Sequence, residues 1–251
     1  MKKLLKILLP SSSRLKLRLL LIFLEDFANG NWRCFCEPSQ AIDFSDSFCL
    51  AEVSQPVKQT EFSANKLENI QTALKTINCL AIYPNQVFSF WKLIGNPTEE
   101  NGFKLGRSIV GDRLSADFGG GLCQLSGMLY LLTLKTGLEV TERHAHSHDL
   151  YNEQTRYTPL GSDATVAYGH KDLRFRNTTE GIIYFHFHYS DNQIIGKVFA
   201  NKTIPVFELS FETELTETAK IARSYQIQPN REPKLLAETQ YNYYEYEVQG
   251  L

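Results

Sequence analysis

The stretch Gly119-Gly120-Gly121-Leu122-Cys123-Gln124-Leu125-Ser126 marks where an irregular chain turns into a helix. Three consecutive glycines lose much backbone entropy on ordering, so they belong where the chain bends sharply or approaches something closely. After them Leu122, Leu125, Leu129 and Leu132 recur at three- and four-residue intervals and line one helical face. Gly137 is the natural stop. Cys123 therefore falls in the first turn of a helix, where unpaired backbone N–H groups and the helix dipole favour an anion. The thiolate is the reactive form of cysteine, and such a place lowers its pKa. The N–H groups of Gly120 and Gly121 and the side chain of Gln124 are candidate donors to an oxyanion beside the sulfur. A structural thiol in a Gly-rich helix start accounts for the same spacing, since buried inert cysteines are common.

Working outward, the next segment is Glu142-Arg143-His144-Ala145-His146-Ser147-His148-Asp149. If residues 141–148 are extended, the three histidines share one face, because strand side chains alternate with period two. A nucleophilic thiol needs a base, and the base needs an orienting group. One of these histidines is the candidate base, and Asp163, Asp172 or Asp149 the candidate orienter. Three His plus water is also a known zinc arrangement. However, ligands at i, i+2 and i+4 of one strand rarely converge on one ion, so no metal and no cofactor is assigned. Arg143, with Arg107 and Arg113, is of the type that binds a substrate carboxylate bidentately.

Periodicity gives a helix over 64–80, from Leu67, Ile70, Ala73, Leu74 and Ile77. Residues 87–94 form an aromatic run read as a strand. Short strands are expected over 163–168 and 173–176. Residues 182–189 and 194–199 flank Ser190-Asp191-Asn192-Gln193, a hairpin turn; His186 and His188 alternate on the first of these. Helices early and strands late indicate an α+β fold with one main domain and a mostly antiparallel sheet. The regular alternation of a doubly wound sheet is absent. The expected division is 1–58, a basic N-terminal helical segment and linker; 59–200, the main domain; and 201–251, a strand extension with a polar tail.

The 251 residues suffice for one substantial core. A formal net charge of −2 gives no reason to expect a nucleic-acid partner. The five cysteines, Cys34, Cys36, Cys49, Cys79 and Cys123, are odd in number and irregularly spaced, unlike a disulfide framework. Residues 1–24 mix Lys2, Lys3, Lys6, Arg14, Lys16 and Arg18 with leucines. The clean apolar run, Leu19 to Leu24, is shorter than the roughly 7–15 residues of a secretory core. A basic amphipathic helix is expected instead, docked on its own domain or on an anionic membrane surface. The corresponding location is cytoplasmic or peripheral at the membrane.

Several blocks together resemble the VanW family. They are Asn65 to Ile70, Val87-Phe88-Ser89-Phe90-Trp91, Ile94 to Thr98, Asn101-Gly102-Phe103, Gly119 to Ser126, Gly137-Leu138, Glu142 to Ser147, Gly161 to Val166 and Asp172 to Asn177, in family order over roughly residues 60–190. The resemblance implies a link to vancomycin resistance and the cell wall, and L,D-transpeptidase-type chemistry on peptidoglycan through the cysteine. It implies Cys123 as nucleophile and His146 as base, with His144 and Asp163 as further catalytic candidates. Gly120, Gly121, Gln124, Ser126 and Arg143 become substrate or oxyanion contacts. The resulting expectation is a thiol-dependent acyl-transferring or amide-cleaving enzyme acting on a peptide or peptidoglycan precursor. The alternative is a non-catalytic protein that binds such a peptide or a protein partner.

Overall fold

The helix α4 (Leu122–Lys135) that follows the glycine run is apolar almost all round, and most of it is buried. A helix of that character has to lie inside the molecule. In the computed structural model, which describes residues 10–38, 46–110, 113–149 and 156–243, it runs through the centre of the core. The helix ends with Gly137 at φ +67°, where Leu138 N–H donates to Thr133 O at 3.2 Å and Gly137 N–H to Leu134 O at 3.3 Å. That pair of bonds is the Schellman closure, which satisfies the last carbonyls and needs a left-handed residue.

Ahead of α4 lie α1 (Ser11–Ala28), a short 3-10 turn (Asn31–Arg33), β1 (Phe48–Pro56), α2 (Ser63–Ile77), β2 (Ala81–Ile82), β3 (Val87–Ser89), α3 (Phe90–Ile94), β4 (Leu105–Val110) and β5 (Arg113–Phe118). Behind it come β6 (Glu139–Glu142), β7 (Arg174–Arg176), β8 (Ile183–Ser190), β9 (Gln193–Ala200), β10 (Glu208–Leu215), β11 (Ala219–Ile227) and β12 (Lys234–Asn242). The main sheet has the order β1-β9-β8-β2. Smaller sheets are β3-β7-β6, β4-β5 and β10-β11-β12. Every pairing between these strands is antiparallel, so the fold is α+β.

Helix α4 packs on α2, on β1 and β9 of the main sheet, and on β6 and β10. Ile70, Leu74 and Ile77 of α2, with Phe185, Phe187, Ile194 and Val198 of the sheet, close the core around it. The β8–β9 hairpin turns through Asp191 at φ +51° and Asn192 at φ +61°. Two left-handed residues give the turn whose twist matches the strands, and short polar side chains tolerate it.

Three sequence expectations change in detail. Residues 87–94 are not one strand, because β3 stops at Ser89 and one helical turn follows. Ser89 Oγ caps that turn by accepting from Lys92 N–H at 3.3 Å, and Trp91 N–H donates to Asp172 Oδ1 at 3.1 Å. Side-chain acceptors thus replace the ladder partners a longer strand would need. Residues 163–168 form no strand either. They are held by Thr165 N–H to His144 O at 2.7 Å and by Ser126 Oγ to Ala164 O at 2.5 Å, outside any ladder. Finally, β6 covers only Glu139–Glu142, so His144, His146 and His148 do not share a strand face.

Candidate functional site

Cys123 is placed by the backbone before it. Gly121, at φ +103°, turns the chain into α4, and a Cβ there would stand 2.6 Å from Lys66 Cγ. The fully buried Asn69 of α2 donates to Gly120 O at 3.0 Å and to Lys104 O at 3.0 Å, and accepts from Lys104 N–H at 2.7 Å. This carboxamide pins the glycine run to the helix behind it. Leu122 N–H donates to Gly119 O and Gln124 N–H to Gly121 O. Among the described residues, the N–H groups of Gly120, Gly121 and Cys123 meet no backbone carbonyl. The helix start therefore keeps donors beside the sulfur, as required for binding developing negative charge.

The partly buried thiol stands 3.4 Å from Thr165 Oγ1 and donates to Val166 O at 3.7 Å. His146 is its titratable neighbour. Burial raises the Cys123 pKa, but the hydrogen bond and charge of His146, with Thr165 and Val166 O, more than offset this. The thiol ends below its ordinary value. His146 is tied in turn to Asp163 by Nδ1 to Oδ2 at 2.6 Å and by backbone N–H to the same oxygen at 2.9 Å. Burial alone lowers the His146 pKa; the Asp163 hydrogen bond and then Cys123 raise it from 6.5 to about 9. With Asp163 on Nδ1, Nε2 is the nitrogen left for a proton exchanged with sulfur. The arrangement is a Cys–His–Asp series in which each partner stabilises the charged form of the next.

Asp163 is held on its other side. Oδ1 accepts from Arg143 at 3.0 Å and from the Tyr241 hydroxyl. Burial raises the Asp163 pKa, but His146, Arg143 and Tyr241 bring it down to about 2. Arg143 also donates to Asp163 O at 2.8 Å, Gly161 O at 3.2 Å and Thr239 Oγ1 at 2.6 Å. Its guanidinium lies 5.0 Å from the centre of the Tyr130 ring. This arginine is fully engaged inside the protein, locking the Asp163 loop.

The other sequence candidates divide. Gly120, Gly121 and Gln124 line the same cleft as Cys123, His146 and Asp163, a space of about 810 Å³. Gln124 Nε2 donates to Pro56 O at 3.1 Å, while its Oε1 is buried without a partner among the described residues. Ser126 is fully buried and bonded to Ala164 O, so it fastens the 163–166 segment to α4. His144 points to Glu142, Nε2 to Oε1 at 2.9 Å, and does not line the cleft. The three histidines thus do not converge, and no cluster suited to a metal ion occurs among the described residues. Asp149 is held by Arg156 at 2.6 Å and Lys220 at 3.0 Å. Asp172 accepts from Ser89, Trp91 N–H and Arg174. The side chains of Arg107 and Arg113 lie outside the described residues.

Two contributors escaped the sequence reading. Thr165 lies two residues beyond Asp163, in a segment whose motif was visible but whose contact with sulfur was not. Tyr241 reaches Asp163 across 78 residues from β12, and nothing local in the sequence marks it. All five cysteines are free thiols. Cys36 is buried, and burial pushes its pKa up to about 12.

The chain is 35% identical over 141 residues to the vancomycin B-type resistance protein VanW of Enterococcus faecalis, covering 56% of this chain and 51% of that one. It is 38% identical over 138 residues to the uncharacterized protein YoaR of Bacillus subtilis, covering 53% and 44%. It thus spans about half the length of the curated relatives it matches. No solved structure matches. The family model described as VanW like protein matches residues 65–199, a span that contains Cys123, His146 and Asp163. With more than half of its residues in that match, the chain belongs to the VanW-like protein family.

Proposed function

We propose that this protein is a thiol-dependent enzyme that transfers or hydrolyses the acyl group of a peptide in cell-wall metabolism. The observation that carries the reading is the 2.6 Å contact from Asp163 to His146 Nδ1, with His146 lining the same cleft as the Cys123 thiol at a helix start. The wall context comes from the family and from the vancomycin-resistance relative.

In the proposed reaction the Cys123 proton passes to His146 Nε2, and the thiolate attacks the carbonyl carbon. A C–S bond forms as the carbonyl π pair moves to oxygen. The N–H groups of Cys123, Gly120 and Gly121, which meet no backbone carbonyl among the described residues, are the donors proposed for that oxyanion. Collapse re-forms the carbonyl and breaks the C–N bond, and His146 gives its proton to the leaving amine. Water or a second amine, losing a proton to His146, then attacks the thioester; the acyl C–S bond breaks, its electron pair returns to Cys123 Sγ, and the acid or new amide is released. Asp163 stays ionised and holds the ring throughout.

The test is incubation with wall-precursor peptides, followed by mass spectrometry of the protein and chromatography of the peptides. An acyl adduct on Cys123 and turnover, both abolished by His146→Ala, are expected. Capture of the peptide without turnover, unchanged in Cys123→Ser, overturns the enzyme reading in favour of a binding protein.

A further inference from the structure

Helix α1 has two unlike faces. The inner one packs on the body of the protein. Leu15 and Leu19 lie so close to Gly169 that a Cβ there would meet Leu15 Cδ1 at 2.5 Å and Leu19 Cδ2 at 3.6 Å. Asp26 pairs with Arg174 at 2.7 Å and is buried, and Arg18 reaches His170 O at 3.4 Å. These contacts fix the rotation of the helix about its own axis.

The outer face carries Leu17, Leu20, Leu21, Phe23, Leu24 and Phe27, each 40–57% exposed. Leu17, Leu20, Leu21 and Leu24 follow the three- and four-residue spacing of a single stripe. A contiguous apolar surface of this kind on a folded chain marks an interaction site. Arg14, Lys16 and Arg18 lie along the same helix, and no acidic residue precedes Glu25 in the sequence. At the far end Trp32 is 42% exposed, stacks on Phe27 at 5.7 Å between ring centres, and has the Arg33 guanidinium 4.6 Å from its ring.

We infer that this face lies in the surface of an anionic lipid bilayer. Three observations select that occupant. The cations bordering the stripe, Arg14, Lys16 and Arg18, complement anionic headgroups. An amphipathic ring beside a cation at one end of the stripe suits the boundary between headgroup and acyl chain. The helix is also not long and apolar enough to cross a membrane, so an in-plane position is the one available to it. Leu15, on the inner face, lines the Cys123 cleft. Docking by the outer face therefore sets the cleft within about one helix diameter, roughly 10–12 Å, of the lipid surface.

The experiment is flotation of the full chain with mixed phosphatidylglycerol–phosphatidylcholine vesicles, and with phosphatidylcholine vesicles as the neutral control. Expected is binding to the anionic vesicles that drops at least about tenfold on neutral ones, and likewise in about 1 M salt, where charges are screened within roughly 3 Å. Leu20→Glu/Leu24→Glu, on exposed positions that leave the fold intact by circular dichroism, is expected to abolish it. Absence of binding to anionic vesicles by the folded wild type overturns the inference, as does equal binding by the double variant. A dimer in light scattering that the double variant dissolves, with no vesicle binding, reassigns the face to self-association.

Discussion

Replacing Asp163 by Asn tests the charge series most directly. The carboxylate contributes Oδ2 to both His146 Nδ1 and His146 N–H, and Oδ1 to Arg143 and Tyr241. Asn keeps the shape and one acceptor but removes the negative charge. The rise of the His146 pKa from 6.5 to about 9 corresponds to ~3 kcal/mol in favour of the imidazolium, at about 1.36 kcal/mol per unit. The Asp163 hydrogen bond is the largest single cause opposing burial, and its charge adds to it. Without it the ring loses its proton near neutral pH, and the thiolate loses its counter-charge. If half of the ~3 kcal/mol reaches the sulfur, the thiolate fraction below its pKa falls about tenfold. The assay is the rate of iodoacetamide alkylation from about pH 4 to 10, a span that brackets the free-thiol value of about 8.5, in a protein whose other four cysteines are Ser. Wild type is expected to titrate below that value, and Asp163→Asn closer to it. An unchanged profile in a folded Asp163→Asn protein refutes the series, because the thiol pKa would then owe nothing to the carboxylate.

The same aspartate governs acid stability. Its folded pKa of about 2 lies below the ordinary 3.8, so it contributes about 2–3 kcal/mol that is fully present above pH ~4 and lost as pH falls through ~2. The gap in Tm between wild type and Asp163→Asn should accordingly be widest above pH ~4 and close toward pH ~2; a constant gap would contradict it. Tyr241→Phe deletes the hydroxyl that donates to Asp163 Oδ1 and accepts from Gly161 N–H at 3.1 Å. Because that N–H is buried, thermal melts should show a loss of about 1–3 kcal/mol. The thiol titration should stay near that of wild type, because His146 binds the other oxygen, Oδ2.

The sequence by itself located the candidate site. The glycine run and the leucine spacing placed Cys123 at a helix start, because backbone freedom and a 3.6-residue repeat are local properties. The β8–β9 hairpin was legible for the same reason, in four residues whose turn preference is intrinsic. The α+β class followed from the order of elements. Distant contacts decided the rest. Whether residues 87–94 would continue as a strand depended on the Asp172 carboxylate, which lies some eighty residues away in sequence and supplies acceptors to a helical turn. Choosing among three histidines and three aspartates depended on which pairs the packing brings together. His144 is bound by Glu142 two residues before it, while His146 and Asp163 meet across a loop that Ser126 fastens to α4. Tyr241 reaches that loop from β12, and Thr239 of the same strand accepts from Arg143, both outside the residues that match the family model. Local sequence carries propensity, but a hydrogen bond between residues far apart along the chain exists only once the tertiary structure has brought its donor and acceptor within about 3 Å.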